Sequence, residues 1–169
     1  MCDMLGNVFE AWVNNKKELA TRFYVDGREC ITSARILFED KKRGSRSKYD
    51  ILLIHGIELL LKSYLLFKNA TLPDNREDID KYLKRLGHRY YLIYKECIKY
   101  GDELNSLNLK VHLDSLGHLC YPDSIGVRYI QDSGLVMVDP AIFSAIRAEL
   151  IKPLYRMQFP RSTSNDPNL

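Results

Sequence analysis

The sequence lacks an uninterrupted hydrophobic run long enough to cross a membrane. Its most apolar stretch, residues 51–67, is interrupted by His55, Glu58 and Lys62. A membrane-spanning helix needs roughly 20 consecutive apolar residues, so we expect a buried helix here and no membrane partner. The first residues also lack a basic region followed by an apolar core, the pattern of a secretory signal. We therefore expect a cytoplasmic protein.

Cysteine is sparse and shows no pattern of a metal or disulfide site. The four cysteines are far apart, at Cys2, Cys30, Cys97 and Cys120. Structural zinc sites and redox motifs place two cysteines close together, and no pair does so in this sequence. We expect reduced thiols, with no metal and no cofactor. A phosphate-cradling glycine loop and a nucleophile elbow are absent as well, so no common enzyme motif assigns a reaction.

The composition is that of one folded domain. A hydrophobic fraction of 46% and a charged fraction of 28% argue against a disordered chain, and 169 residues suffice for one good core. We expect residues 1–159 to form a single helical domain. Residues 160–169 are rich in Ser, Asn, Asp and Pro, which predicts a disordered tail.

Apolar residues recur with helical spacing along most of the chain. A first helix is predicted around residues 5–12, and Asp26 is a candidate N-cap for a second. The third helix, from about Lys48, is apolar almost all round, as expected of the central helix of a bundle. Asn75 is a candidate cap for the next helix, and Gly87 turns the chain into the one after it.

The C-terminal third combines a hairpin pattern with a last helix. Residues 127–138 contain two short β-prone segments around Asp-Ser-Gly, which predicts a small hairpin. Asp139 and Pro140 predict the start of the last helix, and Pro153 predicts a kink in it. The expected fold is all-α: an antiparallel bundle of five to six helices with a small hairpin before the last one.

Three stretches within residues 28–155 carry a more specific pattern. They are the segment HGIELLLKSYL from His55, the segment LGHRYYLIY from Leu86, and the pair Arg128–Tyr129. In this order they resemble the HEPN family of nucleic-acid-associated helical bundles. The first segment is similar to the family's central helix with its Glu-Leu-x-x-Lys core. The second resembles the Gly-His-Asp-Leu start of the following helix, with Arg-Tyr in place of Asp-Leu.

The resemblance implies a four- to five-helix bundle, often a homodimer, with roles in RNA cleavage, toxin–antitoxin pairs and phage defence. An antitoxin or a nucleotidyltransferase-type protein is the partner that it implies. The family's ribonucleases share an Arg-x4-6-His motif, and no arginine stands at that spacing before any of the four histidines. We therefore expect RNA or nucleotide binding without ribonuclease activity. Two other hypotheses stay open: a metal-independent ribonuclease that uses His88 and Arg128, and a protein-interaction bundle.

Polar residues on the predicted central helix are candidates for a cleft. Glu58 and Lys62 stand four residues apart with glutamate first, the favourable order for a helical ion pair. His55 lies one turn before Glu58 and is close enough to share a proton or a ligand with it. Structural pairing and a binding cleft are both open interpretations. His88 follows a glycine at a helix start, where it either caps the helix or meets a phosphate, with Arg89 beside it.

Clustered basic and aromatic residues are the remaining candidates. A basic connector is defined by Lys41, Lys42, Arg43, Arg46 and Lys48. It is either a solvated loop or, together with Arg89, a surface for phosphate groups of nucleic acid. Five tyrosines fall close together on two adjacent segments, and part of this region is expected to be buried in a homodimer interface: Tyr82, Tyr90, Tyr91, Tyr94 and Tyr100.

Overall fold

The computed structural model describes residues 15–40, 46–117 and 139–160, and this part of the chain consists of helices and turns without a strand. The all-α prediction is confirmed for these ranges. The predicted first helix at residues 5–12, the predicted hairpin at residues 127–138 and residues 161–169 of the predicted tail lie outside the described residues.

Helix α1 spans Lys16–Glu39 and begins at Asn15, whose side chain accepts a hydrogen bond from the Glu18 amide at 2.8 Å. The prediction that Asp26 caps a helix is wrong, because α1 continues through that position. Asp26 instead pairs with Arg22 one turn earlier, at 3.0 Å. The apolar stripe of the helix runs through the same region without a break, so burial favours one long helix over two short ones.

Helix α2 spans Arg46–Lys68 and is the buried centre of the described fold. It begins two residues before the predicted start at Lys48. Fully buried side chains lie on nearly every face of this helix: Leu53, Ile57, Leu60, Leu61, Tyr64, Leu65 and Leu66. The prediction of a central helix is confirmed. None of the described helices is long and apolar enough to span a bilayer.

Helices α1 and α2 form an antiparallel pair that crosses at two glycines. Gly27 of α1 and Gly56 of α2 face each other so closely that a Cβ on Gly56 would lie 2.9 Å from the Gly27 carbonyl oxygen. Near one end of the pair, Ser63 of α2 donates a hydrogen bond to the Ala20 carbonyl of α1 at 2.6 Å. Because no side chain separates the backbones at the crossing, the two helices pack unusually close together there.

Three short helices follow α2, and the second of them packs on it. Helix α3, Arg76–Leu86, is capped as predicted by Asn75, which accepts from the Asp78 amide at 3.0 Å. Gly87, at φ +64°, ends α3 with a conformation that favours glycine. Helix α4, Tyr90–Cys97, then packs on α2, and a 3₁₀ turn at Asp102–Leu104 leads to α5, Leu107–Gly117.

The N-terminus of α5 is capped by the side chain of Glu149, which lies 40 residues after Leu109 in the sequence. The Glu149 carboxylate accepts hydrogen bonds from the Ser106 hydroxyl, from the Asn108 amide at 2.7 Å and from the Leu109 backbone amide at 3.0 Å. Desolvation raises the pKa of this carboxyl, but these three hydrogen bonds outweigh it. The net result is a pKa below the ordinary glutamate value of 4.5.

The C-terminal helical stretch, residues 139–158, begins where the sequence predicts. The Asp139 side chain accepts from the Ala141 amide at 2.9 Å, and α6 spans Ala141–Ile146. A π-helical turn, Arg147–Ile151, then leads into α7, Lys152–Gln158. This wider turn lies directly before Pro153, which has no N–H to donate within a helix. At its end, Gln158 donates to the Ser63 hydroxyl at 2.7 Å and ties α7 to α2.

Candidate functional site

A buried ion pair on α2 holds a histidine at the surface. The Glu58 carboxylate oxygen Oε1 lies 2.7 Å from the Lys62 ammonium and 2.9 Å from Nδ1 of His88. The side chains of Glu58 and Lys62 are 7% and 9% exposed, whereas that of His88 is 68% exposed. The structure therefore brings together three of the predicted site residues.

The local sequence explains each position in this cluster. Glu58 and Lys62 are one turn apart on α2, with glutamate nearer the N-terminus, which is the favourable order. His88 comes from the turn between α3 and α4 and directly follows Gly87, which has a positive φ. Charges this deeply buried destabilise a fold unless they are paired, and here the Glu58 carboxylate contacts both the Lys62 ammonium and the His88 ring.

The hydrogen bond to Glu58 determines what the His88 ring offers to solvent. A carboxylate only accepts, so Nδ1 carries the proton that it shares with Glu58. The other nitrogen, Nε2, is left to face a ligand, as an acceptor in neutral imidazole and a donor in imidazolium. This is the arrangement in which a fixed histidine binds a polar group or exchanges a proton with it.

Positive charge surrounds the turn that carries His88. The last turn of α3 contributes the exposed Lys84 and Arg85, and the Arg85 guanidinium lies 5.3 Å from the Tyr82 ring. Arg89 is half-buried at the N-cap position of α4, where it makes no side-chain capping bond. The N-terminus of α4 adds the partial positive charge of a helix dipole beside His88. The surface is suited to an anionic group.

The described structure leaves the roles of two other predicted site residues, His55 and Arg128, as predictions. His55 is exposed one turn before Glu58 on α2, and the contacts of the Glu58 carboxylate go to Lys62 and His88. The place of His55 in a cleft stays a prediction. Arg128 lies outside the described residues, so its predicted pairing with His88 also stays a prediction. Within the described ranges, no cluster of three or more His, Cys, Asp or Glu is arranged to hold a metal ion.

The basic connector is described only in part. Lys41, Lys42 and Arg43 lie outside the described residues. Arg46 and Lys48 belong to the first turn of α2, since that helix begins at Arg46. Their backbone is therefore helical rather than part of a loop, and the prediction of phosphate contacts for the whole connector stays a prediction.

The predicted tyrosine interface needs a correction, because most of its members lie in the core of the monomer. Tyr90 is fully buried and donates its hydroxyl proton to the Leu113 carbonyl at 3.1 Å. Tyr94 donates to the Leu104 carbonyl at 2.9 Å, and burial raises the pKa of its hydroxyl. Tyr82 is buried as well. A tyrosine hydroxyl with a carbonyl partner is stable inside a protein, which accounts for Tyr90 and Tyr94. Burial alone makes all three rings unavailable to a second chain.

The half-buried members, Tyr91 and Tyr100, are the only ones of the five left with ring surface at the exterior of the described structure. A homodimer stays a prediction, without the broad tyrosine surface on which the protein-interaction hypothesis was based. No family model, no curated protein and no solved structure matches the chain. The HEPN resemblance therefore rests on the residues of this sequence alone.

Proposed function

We propose that the chain is a HEPN-like helical bundle that binds RNA or a nucleotide through the surface around His88. The observation that carries this proposal is the buried Glu58–Lys62 pair that holds an exposed imidazole. Two buried charges contribute little net stability, and apolar side chains of similar size would stabilise a helix core at least as well. A buried pair that fixes the ring of a solvent-facing histidine instead has a clear use in placing that ring against a ligand.

The ligand class follows from the charge of the surroundings. Phosphate groups are bound by guanidinium forks, by histidine N–H groups and by helix N-termini. Arg89, His88 and the first turn of α4 supply these three elements side by side. Because phosphate contacts carry no sequence information, this surface is expected to bind single-stranded RNA of any sequence. The cytoplasmic setting in bacterial defence or a toxin–antitoxin pair, with a homodimer or an antitoxin as partner, is proposed from the resemblance alone.

A second candidate function is metal-independent RNA cleavage. The observation that favours it is the 2.9 Å contact between Glu58 and Nδ1 of His88. It leaves Nε2 as the nitrogen that takes up or releases a proton, as general acid–base catalysis requires. The family's ribonuclease motif is missing from the sequence, and so we place binding first and cleavage second.

The decisive experiment measures binding of a fluorescent single-stranded RNA by anisotropy over a range of salt concentrations. Replacing His88 by alanine is expected to weaken binding about tenfold or more, because a hydrogen bond to a charged group contributes about 1.5–3 kcal/mol. Lys81→Ala is the matched control, since Lys81 is also exposed and paired with a glutamate, Glu77, at 2.6 Å. Equal losses in the two variants, or no RNA binding by the unaltered protein, would contradict the proposal.

The basic connector is tested in the same assay. If its side chains contact phosphates, changing Lys42, Arg43 and Arg46 together to alanine flattens the slope of log affinity against log salt by roughly two, at about 0.7 per contact. An unchanged slope shows that the connector is a solvated segment. Gel analysis of the same RNA separates binding from cleavage: products that appear with the unaltered protein and vanish with His88→Ala would favour the second candidate.

A further inference from the structure

The contacts of Glu58 limit which of its two neutral forms the His88 ring can take. A neutral imidazole carries its proton on either Nδ1 or Nε2. Nδ1 of His88 lies 2.9 Å from Oε1 of Glu58, and the Lys62 ammonium lies 2.7 Å from the same oxygen. An ammonium only donates hydrogen bonds, so this oxygen acts as an acceptor. The neutral ring is therefore held with its proton on Nδ1.

This fixed proton position decides what the ring can do at Nε2. In the neutral ring, Nε2 carries no hydrogen and only accepts a hydrogen bond, whereas in the imidazolium it donates one. A phosphodiester oxygen is an acceptor, so it is attracted by the charged ring and repelled by the Nε2 lone pair of the neutral ring. A histidine without a partner at Nδ1 can instead move its proton to Nε2 and donate while neutral.

The charges of the elements that meet at this turn make His88 the group that responds to pH. Lysine and arginine side chains keep their positive charge between about pH 5 and 8, where histidine changes its charge. The cations therefore attract phosphate throughout this range. Besides Glu58 and Lys62, the charged or titratable residues of these elements near the turn are His55 on α2, Lys84 and Arg85 in the last turn of α3, and Arg89 at the N-cap of α4.

We infer that the surface around His88 binds RNA as a proton-operated switch, an inference that rests on the proposed function. While the ring is charged, it donates from Nε2 to a phosphate oxygen. As the pH rises, the Nε2 proton passes to solvent, and Glu58 keeps the remaining proton on Nδ1. The ring then presents a lone pair to the phosphate, which is released. Glu58 and Lys62 are positioning residues, because they fix the tautomer of His88 without touching the RNA.

The test measures the affinity for a fluorescent uridine oligomer by anisotropy, from about pH 5.5 to about pH 8. The oligomer carries no terminal phosphate, because a phosphate monoester itself titrates near pH 6, at about the same pH as histidine. The affinity of the unaltered protein is expected to fall about tenfold as the pH rises, since a hydrogen bond from a charged donor is lost. His88→Ala is expected to bind weakly and to change less than about twofold over the same range.

His55→Ala is the matched control for His88→Ala, because His55 is also an exposed histidine and lies on the same helix as Glu58. Its replacement should keep the full fall in affinity with pH. An effect of His55→Ala on the pH dependence as large as that of His88→Ala overturns the inference.

The double variant Glu58→Leu with Lys62→Met tests the fixed tautomer. It removes both charges together, so neither is left buried without a partner, and circular dichroism checks that it folds. His88 is then able to place its proton on Nε2 and to donate while neutral, so the fall in affinity is expected to shrink to about threefold. An unchanged fall in the folded double variant shows that Glu58 has a structural role alone and overturns the inference.

Nitrogen NMR of the unaltered protein measures the same property without a substitution. At about pH 8, where histidine is neutral, the proton of His88 is expected on Nδ1. A neutral ring with its proton on Nε2, or RNA binding that does not change with pH, overturns the inference and leaves the proposed function standing. RNA that fails to bind at any pH in the range contradicts the proposed function itself.

Discussion

The helix crossing at Gly56 gives the sharpest prediction for stability. An alanine Cβ at this position would lie 2.8 Å from Cδ1 of Ile31 and 2.9 Å from the carbonyl oxygen of Gly27. The Ile31 side chain can rotate away, but the Gly27 oxygen belongs to the backbone of α1. The larger the new side chain, the further α1 and α2 must move apart.

The magnitude follows from two opposing effects. Alanine favours a helix over glycine by about 1 kcal/mol, while overpacking a core costs about 1–3 kcal/mol. Gly56→Ala is therefore expected to lower the free energy of unfolding by up to about 2 kcal/mol. Leucine is nearly as good a helix former as alanine, so Gly56→Leu isolates size, and we expect a loss at least 2 kcal/mol greater than for alanine.

Gly87 provides the matched control, because a Cβ there would have nothing within 4 Å but would require φ +64°. Alanine and leucine at Gly87 are both expected to cost about 1–3 kcal/mol from backbone strain, with no dependence on size. Urea unfolding followed by circular dichroism measures all four variants. If Gly56→Leu is as stable as Gly56→Ala, the close crossing of the helices does not exist and the reasoning fails.

Three further predictions concern polar groups that make hydrogen bonds or ion pairs within the fold. Lys62→Met is expected to lower the free energy of unfolding by about 3 kcal/mol, because it leaves the Glu58 charge buried without its partner. The double variant Lys62→Met with Glu58→Leu should regain most of that stability. If the losses of the two single variants simply add in the double variant, the two side chains are not coupled. The pKa of Glu149 is lowered on folding, so the stabilisation that this carboxylate provides is present at neutral pH and is lost as the pH falls below about 4.5. The free energy of unfolding of Glu149→Gln should therefore depend less on pH in the acid range. An unchanged pH dependence would contradict the role of Glu149 as the cap of α5. Tyr94→Phe should cost about 1 kcal/mol in urea unfolding because the Leu104 carbonyl loses its donor, and a neutral effect would indicate that water replaces the hydroxyl.

The sequence predicted those features of the fold that depend on neighbouring residues. Asn75 and Asp139 were recognised as helix starts because an acceptor side chain at a cap acts within three residues. The i, i+4 pairing of Glu58 with Lys62 was likewise visible on the predicted helix. Asp26 was misassigned, because aspartate serves equally well as a cap and as the partner of an arginine one turn earlier, and only the continuing apolar stripe of α1 decides between them.

Features that depend on tertiary contact were not predictable in the same way. His88 lies 30 residues from Glu58, and no local spacing indicates that a turn after α3 returns to the central helix. Tyr94 looked suited to an interface because its ring is amphipathic, yet the same ring is buried once a carbonyl accepts its hydroxyl proton. A groove between residues 28–35 and residues 143–151 is formed by segments more than a hundred residues apart, so neither segment indicates it alone.

The central claim is that Glu58 presents His88 to a phosphate-bearing ligand, and the side-chain nitrogen signals of ¹⁵N-labelled histidine test it most directly. On addition of single-stranded RNA, we expect the Nε2 signal of His88 to shift with the fraction bound, while Nδ1 keeps the signature of its hydrogen bond to Glu58. His112 on α5 is expected to stay unchanged and serves as the internal reference. RNA that binds while both ring nitrogens of His88 remain unmoved would contradict the account.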